Sequence, residues 1–151
     1  MIFQKELLVF VAAISPIIEV RGSVPLGIIL GLSPYSVLML SIIASIIPVI
    51  PILWFLNTLT KYLRRILFFD RFFEWLFVRT RARSKIIEDL EVVGLIIFIG
   101  IPLPGTGVWT GCVAAYLLGL SWIETFIAAA VGTSISSIVV MFATLGILRF
   151  F

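Results

Sequence analysis

Long apolar runs without any charge dominate the chain. Four such runs cover residues 7–18, 22–60, 92–123 and 125–148. A helix that crosses a bilayer needs about 20 consecutive apolar residues. The pattern therefore predicts an all-helical integral membrane protein that spans the membrane more than once.

Turn-forming residues divide the first half into pieces of unequal length. Residues 7–15 and 22–31 are each too short to span, because a helix rises about 1.5 Å per residue and the hydrocarbon core is about 30 Å thick. Between them lie Pro16 and a polar cluster at 19–23. Two short helices joined by a polar break predict a re-entrant hairpin, which enters and leaves the membrane on the same side.

One full crossing follows this hairpin. The turn signal Gly31-Leu32-Ser33-Pro34 ends the short helix, and the chain then stays uncharged to Thr60. That length predicts one transmembrane helix, bent at Pro48 and Pro51 because proline cannot donate a backbone hydrogen bond.

The second half follows the same plan. Short helices are predicted over 92–101 and 108–118, with a break at 102–107 and a full crossing from Ser121 to about Leu148. An offset of 88 residues aligns the halves, and the block Leu30-Gly31-Leu32-Ser33 then matches Leu118-Gly119-Leu120-Ser121. We therefore predict an internal repeat, with repeat 1 over about 1–60 and repeat 2 over about 92–151 of a single membrane domain, 1–151.

The middle segment, residues 61–91, sets the predicted orientation. It contains thirteen of the 19 charged residues and eight of the eleven Lys and Arg residues. The positive-inside rule places it in the cytoplasm. The two crossings then run in opposite directions, which gives an inverted-topology repeat, a plan typical of secondary transporters in the cell membrane.

Within this segment an amphipathic helix is predicted. Apolar residues recur at spacings of four and three, with Arg64 and Arg71 on the opposite face; they are Tyr62, Ile66, Phe69, Phe73 and Leu76. Such a helix fits either the lipid headgroup plane or a cytoplasmic cap on the bundle.

Composition narrows the function classes. The chain has 151 residues, of which 62% are hydrophobic and 13% charged, and its mean hydropathy is +1.25. These values exclude a disordered chain, a nucleic-acid-binding module and an ordinary soluble enzyme. With no histidine, one cysteine (Cys112) and no phosphate-binding loop, we expect no metal site, no cofactor and no nucleotide-driven pump.

The first break contains two charges within apolar surroundings. A charge at the bilayer centre costs about 2.5–3.5 kcal/mol on insertion scales, so Glu19 and Arg21 are candidate functional residues. Glu19 could bind a proton or a cation, and Arg21 could attract an anion such as phosphate. Gly22 would allow close approach of a ligand beside Ser23 and Pro25. The alternative is an interfacial pair in which Arg21 extends to the headgroups.

The second break offers hydroxyl and backbone groups without charge. Its prolines stop one helix and its glycines permit positive φ, so that the next helix begins near Val108 with free N–H groups. A ligand site and a plain loop anchored by Trp109 fit this pattern equally well. The candidate residues here are Pro102, Pro104, Gly105, Thr106, Gly107, Trp109 and Thr110.

The last crossing contains two further polar features. Glu124 follows Ser121 by three residues, a capping-box spacing that predicts the start of a helix, with a proton relay as the second interpretation. A patch of small and hydroxyl residues lies at Gly132–Ser137 and predicts close helix packing more than substrate binding.

Two motifs resemble those of a known family, the putative small multidrug export proteins: Glu19-Val20-Arg21-Gly22-Ser23-Val24-Pro25-Leu26-Gly27 and Pro102-Leu103-Pro104-Gly105-Thr106-Gly107-Val108-Trp109-Thr110-Gly111. The resemblance covers nearly the whole chain. It implies a distant relationship to the DedA/VTT membrane proteins, with two facing re-entrant hairpins and proton-coupled movement of polyprenyl-phosphate lipids. DedA proteins usually carry basic residues in the second hairpin, whereas Gly100 to Trp109 are uncharged here.

Three functions remain open at this point. The first is a transporter or translocase that moves an anionic lipid or small amphiphile, with Glu19 coupling to protons and Arg21 binding the headgroup. The second is an exporter of amphipathic cations with Glu19 as counter-ion, and the third is a membrane scaffold or assembly factor without transport. No nucleophile–base pair is visible, so we do not expect an enzyme. The expected partners are membrane lipids and a second copy of the chain, without nucleic acid.

Overall fold

A computed structural model describes residues 2–63, 78 and 85–150 of the protein. Within these residues the chain forms helices and no strand, which confirms the predicted all-helical class. The helices are α1 (Ile2–Ile14), α2 (Glu19–Ile29), α3 (Pro34–Ile46), α4 (Val49–Leu63), α5 (Lys85–Gly100), α6 (Val108–Leu118) and α7 (Trp122–Phe150).

Two stretches are long and apolar enough to cross a membrane, as predicted. They are Pro34–Tyr62, formed by α3 and α4 together, and Trp122–Leu148 within α7. Less than half of the most apolar part of each is buried within the protein. Large apolar side chains such as Trp54, Ile123 and Phe142 are exposed on their outer faces, and such a surface suits lipid better than water.

The first long stretch is interrupted at one of the two predicted prolines. Helix α3 ends at Ile46, α4 begins at Val49, and Pro48 lies between them. The bend predicted at Pro51 is wrong, because this residue lies inside the first turn of α4. A proline is tolerated there, since the N–H groups of a first helical turn have no partner within the helix.

The repeated Leu-Gly-Leu-Ser block forms the same turn twice. Gly31 and Gly119 both have positive φ, at 78° and 73°. The Leu32 N–H donates to the carbonyl oxygen of Gly27, and the Leu120 N–H donates in the same way to Ala115, at 3.1 and 3.0 Å. Such a six-residue bond closes a helix whose last carbonyls would otherwise lack donors. The local pattern that predicted a turn is therefore confirmed in both halves.

Each half contributes a pair of short helices and a long stretch, and the halves interlock. The predicted start of the third short helix at residue 92 is wrong, because the charged segment 85–91 continues the same helix and α5 begins at Lys85. Helices α1 and α2 pack on α3, and α5 and α6 pack on α7. Helix α2 also packs on α7, while α6 packs on α4. Glycines allow the closest approaches, with Gly27 against Val37 and Gly132 against Ile99. This exchange brings the break after α1 and the break after α5 to the same place.

The predicted amphipathic segment lies mostly outside the described residues. Only Tyr62 of its apolar stripe is described, on the exposed surface of α4. The stripe from Ile66 to Leu76 and the basic residues Arg64 and Arg71 lie outside, so this helix stays a prediction.

Candidate functional site

The first break is shorter than the break that the polar cluster predicts. It spans residues 15–18, and α2 begins at Glu19 rather than at Gly22. Helical bonding resumes early, because the Glu19 N–H donates to the carbonyl oxygen of Ser15 at 3.1 Å. The first turns of a helix therefore contain the polar residues Glu19, Arg21, Gly22 and Ser23. The prediction of a broken segment over these residues is wrong.

An unusual backbone conformation brings the two charges of this helix together. Glu19 has a φ of 48°, the one positive φ among the described residues other than glycine. In a straight helix, side chains two positions apart point in different directions. Here the Arg21 Nη1 atom lies 3.9 Å from Glu19 Oε2. The two groups therefore form a loose ion pair at the start of α2.

The second break is a chain of tight turns, as its prolines and glycines predict. The Thr106 N–H donates to the carbonyl oxygen of Leu103 at 3.2 Å, with Pro104 and Gly105 between them. Gly105 has a φ of 85°, which this kind of turn requires at its third position. The Thr106 hydroxyl lies 2.8 Å from the carbonyl oxygens of both Ile101 and Leu103, so it donates within its own loop.

Glu19 caps the helix that follows the second break. Its Oε1 atom accepts from the backbone N–H of Trp109 at 3.3 Å. A carboxylate is favourable at this position, because the first N–H groups of a helix are unpaired and carry partial positive charge. Gly107 makes the approach feasible, since a Cβ atom there would overlap the carboxylate. The free N–H groups predicted at the start of α6 are thus partly occupied by the other half of the protein.

Two further hydrogen bonds join the breaks. The Arg21 Nη2 atom donates to the Thr106 hydroxyl oxygen at 2.5 Å. The indole Nε1 of Trp109 donates to the carbonyl oxygen of Ile14, the last residue of α1, at 3.0 Å. These two bonds connect polar groups of the two halves, whereas the buried Arg21 Nε has no partner among the described residues.

These contacts form the wall of a cleft of about 310 Å³ between the breaks. Glu19 and Arg21 supply its charges; Arg21 is the more accessible, with 23% of its side chain exposed against 7% for Glu19. Eight predicted site residues line the cleft: Glu19, Arg21, Pro102, Pro104, Gly105, Thr106, Trp109 and Thr110. Pro16 and Ile17 also line it and were not predicted, although the alignment of Pro16 with Pro104 in the repeat was a usable signal.

Four predicted site residues do not line the cleft. Gly22 lies against the Ile18 side chain, and Pro25 lies inside α2. The fully buried Ser23 hydroxyl donates to Ser41 at 2.9 Å, which ties α2 to α3. Gly107 lies behind Glu19, away from the cleft.

An apolar groove of about 390 Å³ adjoins the cleft. Trp109 lines both spaces, so its indole separates the polar cleft from the groove. The other lining residues come from α4 and α6 and are Pro51, Ile52, Phe55, Leu56 and Val113. A molecule with a polar head and an apolar tail would find complementary surfaces on the two sides of this ring.

The remaining polar predictions concern α7. Ser121 and Glu124 form the predicted capping box, with the Ser121 N–H donating to the glutamate at 2.7 Å and the Glu124 N–H donating to the serine at 3.2 Å. Gly132 packs against α5, as predicted for the small-residue patch. Within the described residues no three His, Cys, Asp or Glu side chains cluster as a metal site would need.

The second break and the residues Glu19, Arg21, Thr106 and Trp109 lie within the match to a family model, which begins directly after the first break. This model describes the putative small multi-drug export proteins and matches residues 19–139. The chain belongs to this family. The match covers most of the chain and confirms the resemblance found from the two motifs, and the family description agrees with the apolar helices in indicating a membrane protein. No curated protein and no solved structure matches the chain.

Proposed function

We propose that this family member is a membrane transporter that binds an anionic amphiphile in the cleft between the two breaks. The observation that carries the proposal is Arg21, which lines the cleft and donates to Thr106 while 23% of its side chain stays exposed. An exposed cation at a site surrounded by apolar helices attracts a negatively charged group strongly, because little water competes with it.

The alternatives differ in which charge meets the substrate. Glu19 is 5% exposed, and its carboxylate already accepts from the start of α6. Arg21 is more accessible and lines the same cleft as Thr110. These differences favour an anionic headgroup over a cation. The apolar groove beyond Trp109 would accept the hydrocarbon part, in line with DedA-like movement of a polyprenyl-phosphate type of lipid.

The proposed transporter contains two re-entrant hairpins, each formed by one pair of short helices. Their lengths support this arrangement, since α1 has 13 residues, α2 and α6 have 11 each, and α5 has 16. At about 1.5 Å per residue none reaches the thickness of the hydrocarbon core. The internal repeat is supported by equivalent helix starts, because Pro34 and Trp122 lie 88 positions apart, the offset of the sequence repeat.

Surface labelling tests the inverted repeat. Tyr35 and Ile123 are equivalent positions of the two halves, and each is 73% exposed. We would replace Cys112 by alanine, introduce one cysteine at either position, and label intact cells with a membrane-impermeant maleimide. With residues 61–91 in the cytoplasm, Tyr35→Cys should react from outside and Ile123→Cys only after lysis. Reaction of both from the same side would disprove the inverted repeat.

Flux measurements test the transport proposal. Purified protein in proteoliposomes should move a short-chain polyprenyl phosphate under an imposed pH gradient, since the proposal includes proton coupling through Glu19. Arg21→Gln should abolish this flux, whereas Lys61→Gln removes the same charge from an exposed position at the end of α4 and should leave it intact. Equal flux in both variants would refute the role of Arg21.

Export of amphipathic cations is the second candidate, and the family description favours it. In that case a cationic dye would be transported, Glu19→Gln would stop the transport, and Arg21→Gln would leave part of it. A scaffold or assembly factor predicts no flux of either substrate and a growth phenotype that survives both substitutions.

A further inference from the structure

Glu19 also faces a second space, on the side away from the cleft. This inner crevice is lined by residues of α2, α3, α5 and α7 and by the start of α6: Glu19, Val20, Arg21, Ser45, Ile99, Gly107, Val108, Thr133 and Ser136. It has no room for a water molecule in this conformation. The crevice is therefore dry, although Glu19 and Arg21 also line the open cleft on its other side.

Two hydroxyl groups of α7 in this crevice lack hydrogen-bond partners. Thr133 and Ser136 are each 1% exposed, and neither hydroxyl has a partner within the part of the chain that the structure describes. A buried polar group without a partner costs free energy, so a native example calls for an explanation.

Three other hydroxyls of the same helix have partners, whereas the Ser137 hydroxyl, which does not line the crevice, also lacks one among the described residues. Thr125, Ser134 and Thr144 each donate to the carbonyl oxygen four residues earlier, at 2.9, 2.7 and 2.8 Å. This internal bond is the ordinary solution for Ser and Thr in an apolar helix. Thr133 and Ser136 do not use it. Their oxygen atoms are left for something that enters the crevice.

Further oxygen atoms at the crevice have unused capacity. Glu19 Oε1 has one long hydrogen bond of 3.3 Å, and Oε2 lies 3.9 Å from Arg21 Nη1, beyond hydrogen-bond distance. The Ser45 hydroxyl donates to the Ala13 carbonyl at 3.1 Å, which leaves its oxygen lone pairs free. One carboxylate and three hydroxyl groups thus line a single dry space.

We propose that the inner crevice is a binding site for a dehydrated monovalent cation, with Na⁺ as the best fit. Carboxylate and hydroxyl oxygens are the hard ligands that replace the water shell of such an ion, and a bare Na⁺ is smaller than a water molecule. Its ligands are Glu19, Ser45, Thr133 and Ser136. The cation neutralises the carboxylate, which otherwise lies buried with one loosely placed counter-charge.

Binding of the cation has a consequence for Arg21. Its guanidinium also borders the crevice, and like charges repel, so the ion and Arg21 compete for Glu19. Occupation of the crevice drives Arg21 toward the cleft. The full positive charge of Arg21 is then available to an anionic substrate. This second step rests on the proposed function. The cation site itself does not, because binding can be measured without substrate.

Thermal unfolding of the purified full-length protein tests the site directly. A ligand that binds only the folded state raises the melting temperature as its concentration rises above the dissociation constant. We would titrate NaCl against N-methylglucamine chloride at constant ionic strength and pH. Na⁺ should stabilise the protein and the bulky organic cation should not. Equal effects of the two salts, or stabilisation by protons alone at fixed Na⁺, would overturn the proposal.

Variants of α7 locate the site. Ser136→Ala and Thr133→Val each remove one oxygen ligand and should weaken Na⁺ binding by at least about tenfold. Thr133→Ser keeps the oxygen and should retain binding, which separates ligand loss from a folding defect. Ser134→Ala is the matched control, since its hydroxyl bonds within the helix and does not line the crevice. Unchanged Na⁺ affinity in both Ser136→Ala and Thr133→Val would refute the assignment.

The two proposals fail separately. Na⁺ binding without flux of any substrate would retain the cation site and remove the transport function. Flux through the cleft that is indifferent to Na⁺, together with no Na⁺ stabilisation, would retain transport and remove the cation site.

Discussion

Replacement of Gly107 by alanine tests whether the two halves are held together by Glu19 at the start of α6. The residue has φ 142° and ψ −170°, a region that side-chain-bearing residues hardly ever adopt. An added methyl group would also occupy the position of the Glu19 carboxylate. The substitution therefore strains the backbone and displaces the carboxylate from the Trp109 N–H.

The size of the effect follows from these two costs. Backbone strain of this kind contributes about 2–3 kcal/mol. Loss of the bond from the Trp109 N–H to the carboxylate adds about 1–2 kcal/mol, the lower range being typical of polar contacts inside membrane proteins. The free energy of unfolding should fall by about 3–5 kcal/mol, which lowers the melting temperature by roughly 6–20 °C for a chain of this size.

Alanine substitutions at two other glycines separate the backbone strain from the loss of the Glu19 contact. Gly105 has a φ of 85° but open space where a Cβ atom would lie, so Gly105→Ala should show strain alone, about 1–2 kcal/mol. Gly94 has open space and lies inside α5, so Gly94→Ala should be neutral or stabilising by up to about 1 kcal/mol. All three variants would be compared by thermal unfolding in the same detergent.

A double variant isolates the contact with Glu19. If the carboxylate occupies the space behind Gly107, Glu19→Ala should relieve part of the defect of Gly107→Ala, with a coupling of about 1–3 kcal/mol. Strictly additive effects would show that Glu19 does not lie there. The conclusion that Glu19 caps α6 would then be refuted, whatever the protein transports.

Three further stability predictions use the same unfolding assay. Gly132→Ala should destabilise the protein by about 1–3 kcal/mol, because the added Cβ would meet the backbone of α5 at 2.9 Å. Gly146 has open space, so Gly146→Ala is the control and should be neutral. Equal effects of the two substitutions would contradict the contact between α5 and α7. Ser121→Ala should cost about 1 kcal/mol through loss of the capping box of α7, and no change would exclude that cap from a role in stability. Trp109→Phe should cost about 1 kcal/mol, because its indole no longer donates to the carbonyl at the end of α1; a neutral result would show that this bond is dispensable.

The helix boundaries show where sequence reasoning succeeded. Helix α6 was predicted over 108–118 and is observed at Val108–Leu118, because prolines and glycines end one helix and start the next by local geometry. The start of α2 was predicted at Gly22 and is observed at Glu19. Glu19 adopts a positive φ that nothing local demands, and its carboxylate is held by a contact with α6, 90 positions away in the chain. A local pattern does not contain that information.

The sequence predicted most residues of the candidate site but not the hydrogen bonds that join them. Both breaks and eight lining residues were identified from polar and turn-forming residues within apolar runs. The bond from Arg21 to Thr106 joins residues 85 positions apart and could not be inferred from either motif alone. Thr133 and Ser136 were assigned to helix packing, because composition does not show which hydroxyls bond within their own helix and which face a crevice.

The sequence by itself determined what depends on neighbours along the chain. Apolar run lengths set the helical membrane class, prolines and glycines set the breaks, and the repeated turn set the correspondence of the halves. The tertiary structure decided which polar groups meet. Burial removes water as a partner, so the Glu19 carboxylate and the Trp109 N–H meet across the two halves, and only packing in three dimensions determines such a pairing.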